Sequence, residues 1–424
     1  MTKLKKTPDI RFEGFDGVWE QHGLTEILSP IVGNNTLSRA ELNYDGGEVK
    51  NIHYGDILIK FGSFVDAIND EIPFISNGSI DDFKNSLLKD GDVIFADTAE
   101  DETTGKVVEI TNATEVNIVS GLHTIVYRPK MKFADCFMVY YLNSNAYRQQ
   151  LLPLMQGAKV LSLGRSHLAT TMVNFPVSLN EQAIISNFFR NLDDTIALKK
   201  QQHEKTLNIK KAMLEKMFPK KGADVPEIRF EGFTGAWYYR ILGELCLIGD
   251  IDHWMPKSVE YGIPYIMTGD FIGINELDLK NAKKVSQEDY EQLSRKIKPE
   301  AGDVLFARYA SIGTVRMVKT QREFLVSYSC AIVKPVRLID GEYLFYCFQS
   351  ETTKCQMELA INTGSQGNIG IDSLKKFGVQ MPDKKEQTAI GTFFRNLDNL
   401  IEAQWEEIKK LQSIKKACLN KMFV

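Results

Sequence analysis

The stretch EQAIISNFFRNLDDTIALKKQQHEKTLNIKKAMLEKMF at 181–218 returns as EQTAIGTFFRNLDNLIEAQWEEIKKLQSIKKACLNKMF at 386–423. The shift is a constant 205 positions without a gap, and FFRNLD is kept letter for letter. Apart from Gly391 near the start of the second copy, neither contains Gly or Pro. Apolar residues recur four and three apart: Ile185, Phe189, Leu192 and Ile196 in the first copy, then Ile390, Phe394, Leu397, Ile401, Ile408 and Leu411 in the second. That spacing predicts one long helix per copy, with a face for a partner helix. At ~1.5 Å per residue each rod spans roughly 55 Å. The seam is not uniformly apolar, because Lys199, His203 and Lys210 stand where the second copy has Gln404, Ile408 and Lys415. Polar layers weaken simple zipping, but they fix register and leave surface for further helices.

A second repeat precedes each rod. PDIRFEGFDGVW at 8–19 and PEIRFEGFTGAW at 226–237 share 9 of 12 positions. Short segment and rod occur twice in the same order, so the whole chain is an internal duplication. The offset is 218 at the front and 205 at the back, so the intervening regions differ in length. Both read as β-rich. Short apolar runs at 56–59 (DILI), 92–95, 107–110 and 124–127 are separated by Gly, Asn and Asp turns, which predicts strands. GDVIFAD at 91–97 aligns with GDVLFAR at 302–308, and VSGLHTIVYRP at 119–129 with VSYSCAIVKPV at 326–336. Helical stretches at 137–155 and 344–361 follow. Gly-rich loops then lead to each rod, QGAKVLSLGRS at 156–166 and TGSQGNIG at 363–370.

At 424 residues the chain is long enough for two to four domains. Its 43% hydrophobic and 25% charged residues are those of a globular protein. No run of about 18 apolar residues is present, so no membrane span is expected. The start, MTKLKKTPDIRF, lacks a signal peptide's apolar stretch, so a cytoplasmic location is expected. Six cysteines without CxxC spacing read as reduced thiols. Net charge is −4, which argues against a uniformly basic nucleic-acid binder. Charge is unevenly placed, however: residues 20–179 hold 12 Lys+Arg against 20 Asp+Glu, whereas 183–221 hold 9 against 4. A lysine-rich solvated helix face is the plain alternative to a functional reading of that bias.

No catalytic constellation is present. The chain lacks G-x-x-x-x-G-K-[ST], G-x-S-x-G and H-E-x-x-H, and its six histidines are scattered. No metal site is expected; the acidic run AEDETTG at 99–105 reads as a solvated turn. A chain of this size without a reaction centre reads as a binding or adaptor protein.

Taken together, P-[DE]-I-R-F-x-G-F-x-G-x-W at 8 and 226, GDV-[IL]-FA at 91 and 302, and EQ…FFRNLD at 181 and 386 resemble the specificity subunit of type I restriction-modification enzymes. The resemblance covers nearly the whole chain. It implies an α+β fold in which two β-rich target-recognition domains (1–180 and 222–385) alternate with two long helices (181–221 and 386–424). The helices would pair as an antiparallel coiled coil. It further implies a non-catalytic subunit that reads a split, asymmetric target in double-stranded DNA. Its partners would be methyltransferase subunits, two per chain, and a restriction/translocase subunit. No cofactor is expected in this chain; S-adenosylmethionine and ATP/Mg belong to those partners. Seam residues and the FFR motifs (Phe188, Phe189, Arg190, Leu192, Ile196; Phe393, Phe394, Arg395, Leu397, Ile401, Ile408, Leu411) are the candidates for coiled-coil and partner contacts. Base readout needs Arg, Lys, Asn, Gln or Ser on loops that enter a groove. In the first domain Lys60, Phe61, Ser63, Lys159, Arg165 and Ser166 fit. In the second, Arg308, Tyr309, Ser311, Tyr328, Ser329, Ser365, Gln366 and Asn368 fit. For each residue an ordinary solvated loop is the alternative. Two other functions compete. A DNA amino-methyltransferase would show [DNS]-P-P-[YFW], which is absent. A coiled-coil scaffold with two β-rich protein-binding domains would bind no DNA.

Overall fold

The computed structural model describes residues 7–31, 33–362 and 367–424. The chain forms two compact units: Met1–Lys199 with Glu407–Val424, and Lys200–Glu406. Each repeat stretch is one 38-residue helix, Leu179–Lys216 and Lys384–Lys421. Each unit therefore contains the opening half of one rod and the closing half of the other, a different division from the segments read along the sequence.

Within each unit those halves run antiparallel. In the first unit Phe189 of FFRNLD stacks on Phe423 at the end of the other rod, with ring centroids 5.6 Å apart. In the second, Phe394 stacks on Phe218 at 6.1 Å. Ile185, Phe189 and Ile196 are buried along one rod, and Ile390, Phe394, Ile401 and Ile408 along the other; Leu192, Leu397 and Leu411 are half-buried. Polar seam residues pair diagonally rather than with their sequence equivalents. Lys210 meets Asp398 at 2.6 Å, and Tyr346 Oη donates to the same carboxylate at 2.8 Å. Lys415 meets Asp193, to which Tyr140 donates at 3.0 Å. Lys199 meets Glu407 at 2.9 Å.

The short repeat holds the rod ends. Arg11 donates two hydrogen bonds to Glu181, at 2.7 and 2.8 Å, and Arg229 donates two to Glu386, both 2.7 Å. Ile10 N donates to Lys421 O and Ile228 N to Lys216 O, each satisfying a terminal helix carbonyl. Trp19 and Trp237 pack edge-on against Phe423 and Phe218. The Gln of each EQ pair donates to a proline carbonyl before its helix (Gln182 to Pro176, Gln387 to Pro382). At Gly391 an added Cβ would lie 2.9 Å from Glu342 Cβ, so the second rod needs glycine to pack there.

In the first unit the main sheet orders strands Leu28–Pro30, Thr124–Pro129, Val93–Ala96, Val107–Thr111 and Phe64–Asp66. In the second, Cys246–Gly249, Cys330–Pro335, Val304–Ala307 and Val315–Met317 repeat its first four places. The Asp of each GDV turn is a bracket rather than a site. Asp92 accepts two hydrogen bonds from Arg128 (2.7 and 2.6 Å), and Asp303 one from Lys334 at 2.6 Å. Strand pairing sets Thr124 opposite Ala96 and Cys330 opposite Ala307, so the 124–129 and 330–335 strands correspond one residue away from their letter alignment. The DILI run is not a strand. It lies in helix Tyr54–Ile59, whose N-cap His53 accepts from Gly55 N and whose Asp56 pairs with Arg39 at 2.8 Å. The helical stretches are each broken in two, by the N-cap serines Ser144 and Ser350.

Two measurements test this packing. Glu181 is 2% exposed, so Arg11→Met leaves a buried charge unpaired and should cost about 3 kcal/mol. Arg11→Met/Glu181→Met should recover most of that loss in urea unfolding; an additive double mutant would refute the clamp. Burial pushes the Glu109 carboxyl to about 7, against the hydrogen bond from Cys136 N–H. The unfolded chain releases that proton near the ordinary 4.5, so between 4.5 and 7 the folded state binds more protons. Stability is thus lost as pH rises through that window. Glu109→Gln should match the parent near pH 4.5 and exceed it at pH 8 by about 1–3 kcal/mol.

Candidate nucleic-acid interface

The two units present different chemistry at one shared address, the end of the GDV-[IL]-FA strand. In the second unit this is Arg308, just beyond Val304–Ala307. Its guanidinium is 5% exposed, pairs with Asp250, and donates to Ile369 O at 2.9 Å and Tyr328 O at 3.3 Å. Asp250 also receives His253 at 2.9 Å and Lys296 at 3.1 Å. Burial pushes the Asp250 carboxyl up, but the bonds from His253 and Lys296 and the Arg308 charge outweigh it, and it sits below its ordinary value. His253 stacks on Tyr328 with centroids 5.0 Å apart, and Tyr309 lies under the Arg308 guanidinium. The result is an aromatic and cationic ledge whose outer members are His253, Lys296 and Tyr328.

In the first unit the same address carries Asp97. Leu163 N donates to Asp97 O as Ile369 N donates to Arg308 O, so both Gly-rich loops hang from this strand end. Asp97 accepts from Thr98 Oγ1 at 2.9 Å and lies 3.3 Å from His123 Nδ1. His123 takes a left-handed backbone (φ 56°) just before its strand, which turns its ring outward beside Tyr54. Burial, and then the charge of Arg39, pull the His53 imidazole below its ordinary value, favouring the neutral ring. This ledge offers a carboxylate and imidazoles where the second offers the Lys296 ammonium, the His253 ring and the Tyr328 ring. The first domain's scarce positive charge gathers elsewhere, in a cleft of about 690 Å³ lined by Lys106, Arg148 and Lys415 with Asp101 and Glu102.

The sequence candidates fall into three groups. Arg308, Tyr309, Tyr328 and Ser329 come together at the second ledge, and Asn368 joins them through its hydrogen bonds with Asn362 beside Ile369. Ser311 is exposed on the adjoining turn; Lys159 and Ser166 are exposed, and Arg165 reaches Asn34 at 3.4 Å. Three residues belong to the interior instead of a reading surface. Phe61 is in the core, Ser63 is buried and donates to Asp193 on the rod, and the Arg308 head group is consumed by Asp250. Lys60 is tied to Glu71 at 2.6 Å. Ser365 and Gln366 lie outside the described residues. Of the FFR motifs, Arg395 pairs with Glu342 at 2.6 Å, Arg190 covers the Phe64 ring, and Phe188 and Phe393 meet Phe12 and Phe230 edge-on. The ledge histidines were not legible as candidates, because an isolated His carries no motif. Their one local signal is position: His253 follows Asp250 by three residues. Among the described residues no group of three or more His, Cys, Asp or Glu is placed to hold a metal ion, and no helix is long and apolar enough to cross a membrane.

Arg308 and His253 should therefore separate folding from binding. Arg308→Ala takes from Asp250 its buried partner, leaving the exposed His253 and Lys296, and is expected to lower stability by about 3 kcal/mol. His253→Ala should leave the denaturation midpoint near the parent's and weaken binding to cognate DNA by about 1–3 kcal/mol. Equal stability losses in the two variants would dissolve the distinction.

Comparison with known proteins agrees with this architecture. Residues 19–208 and 235–413 match the family described as the type I restriction modification DNA specificity domain. A Methanocaldococcus jannaschii chain named as the MjaX specificity subunit of a type I restriction enzyme is 23% identical over a 429-residue alignment, covering 95% of this chain and 92% of that one. The MjaVIII specificity subunit of the same organism is 23% identical over 257 residues, 57% of this chain and 59% of its own. Among solved structures, a type I restriction-modification S subunit from M. genitalium shares the fold over 99% of both chains, at 12% identity and a TM-score of 0.59. The chain belongs to the type I restriction-modification DNA specificity domain family, and carries that domain twice.

Proposed function

We propose that the chain reads a split, asymmetric DNA target, one half-site per domain, and performs no chemistry itself. The observation that carries this reading is the shared strand-end address with unlike ledges, Asp97 with His123 in one unit and His253, Lys296 and Tyr328 in the other. Two copies of one scaffold with unlike ledges suit two unlike half-sites, since carboxylates accept from cytosine N4 whereas cationic side chains favour guanine. The net negative charge of the first domain leaves much of the phosphate neutralisation to partner chains.

The rods supply spacing and docking in this reading. Their outer faces keep apolar residues in water, including Leu198 at 53% and Leu400 at 47% exposed. Such positions suit helices of methyltransferase subunits, two per chain, with a restriction subunit joining them. S-adenosylmethionine would bind in the methyltransferase subunits, and ATP with Mg in the restriction subunit.

Inserting one helical turn at the middle of each rod tests the spacing role. Mapping methylated motifs in cells that carry the variant should return the parent's two half-sites with a longer spacer. An unchanged spacer would refute the role of the rods, and loss of both half-sites would refute independent reading.

A further inference from the structure

The first ledge contains an imidazole whose hydrogen-bond polarity is fixed by its neighbours. Asp97 N donates to His123 O at 3.1 Å, which brings the two residues together at the end of the GDVIFA strand. His123 Nδ1 lies 3.3 Å from Asp97 Oδ1 and 3.4 Å from Thr98 Oγ1. Thr98 Oγ1 in turn donates to Asp97 Oδ1 at 2.9 Å. A hydroxyl has one proton and an ionised carboxylate has none. With the Thr98 proton spent on Asp97, both neighbours face Nδ1 with lone pairs only. Nδ1 therefore carries the proton of the neutral ring, and Nε2 at the far tip is left as a bare acceptor. Among the described residues no hydrogen bond reaches that nitrogen.

The backbone is strained where it presents this ring. His123 adopts φ 56°, a left-handed conformation disfavoured for any residue with a Cβ. Strain of that kind persists only where the surroundings over-determine it, and it gathers at functional sites. The ring is held on one side by Asp97 and stands edge-on to Tyr54 on another, with centroids 5.2 Å apart, while 45% of the side chain stays exposed. The second unit is built differently at this address. Arg308 N donates to Ser329 O where Asp97 N donates to His123 O. Its own ledge histidine is turned end for end, because Asp250 takes Nε2 of His253. The two rings are thus held by opposite nitrogens.

We propose that His123 determines specificity at one position of the first domain's half-site. Its bare Nε2 accepts a hydrogen bond from the exocyclic amine of a base, adenine N6 or cytosine N4. It turns away the keto oxygen that guanine or thymine presents at the same place in the major groove. Asp97 and Thr98 are positioning residues, which act by fixing the tautomer of the ring. This role for His123 rests on the DNA-reading function proposed above.

The test uses the full chain assembled with methyltransferase subunits, and duplexes carrying the methylated motif mapped in cells. Each adenine of the two half-sites is replaced in turn by purine, and each cytosine by pyrimidinone, which lack the amine. Among the replacements that weaken binding by the parent, one, worth about tenfold, should cost the His123→Asn variant nothing. Whether that base is adenine or cytosine names the amine that is read. Asparagine suits a left-handed backbone and places no nitrogen at the ring's tip, so this variant should melt near the parent. Asp97→Asn offers Nδ1 a donor as well as an acceptor and frees the ring to invert. The position should then accept guanine beside adenine, or thymine beside cytosine, and the change should have no effect in the His123→Asn background. Replacements that weaken His123→Asn as much as the parent, or an Asp97→Asn effect that persists without His123, would each overturn the proposal. A parent that leaves no split methylated motif in cells would refute the DNA-reading function itself, and the role of His123 with it.

Discussion

The flat contact between Phe189 and Phe423, repeated as Phe394 on Phe218, is the constraint on which the other features rest. One ring sits a few turns into a helix and the other at the end of its partner, so only an antiparallel pairing brings them together. That pairing explains why FFRNLD and the terminal MF are kept in both copies: each motif finds its complement on the opposite rod. Around the ring pair the conserved letters are consumed in turn. Tryptophan closes its edge, the arginine of IRF clamps the rod's opening glutamate, and the isoleucine N–H finishes the last turn of the other rod.

Letters shared by the two copies thus serve folding, and in the proposed function the reading falls to divergent ones. The aspartate of GDV is identical in both, because it brackets a neighbouring strand through Arg128 or Lys334. Five residues on, the copies part into Asp97 and Arg308. The divergence is not free of structural cost, since Arg308 needs Asp250 to enter the interior. A domain that changes its residue at this address must change the buried partner as well.

Much of the architecture was legible in the sequence. The gapless 38-residue repeat, offset by 205 positions, with its heptad seam determined the two helices and a partner face, and the strands flanking GDV-[IL]-FA lie close to their expected places. DILI misled because a four-residue apolar run has no period, and His53 capping with the Arg39–Asp56 pair decided for helix. Lys210 and Lys415 read as matching polar layers, yet each found the aspartate of the opposite copy's FFRNLD, since equivalent positions do not face one another in an antiparallel pair. The candidate site was less legible. Arg308 looks like a loop arginine until Asp250, 58 positions earlier, is placed beside it. Ser63 looks like a phosphate contact until the rod covers it.

The diagonal lysine–aspartate pairs also set how the protein responds to salt. Lys210 and Asp398 are only 11% and 7% exposed, so mobile ions reach them poorly and their attraction is screened little. Contacts to a phosphate backbone behave in the opposite way, weakening steeply with ionic strength as counterions return to the duplex. The rods therefore stay paired at salt concentrations that would release a bound polyanion.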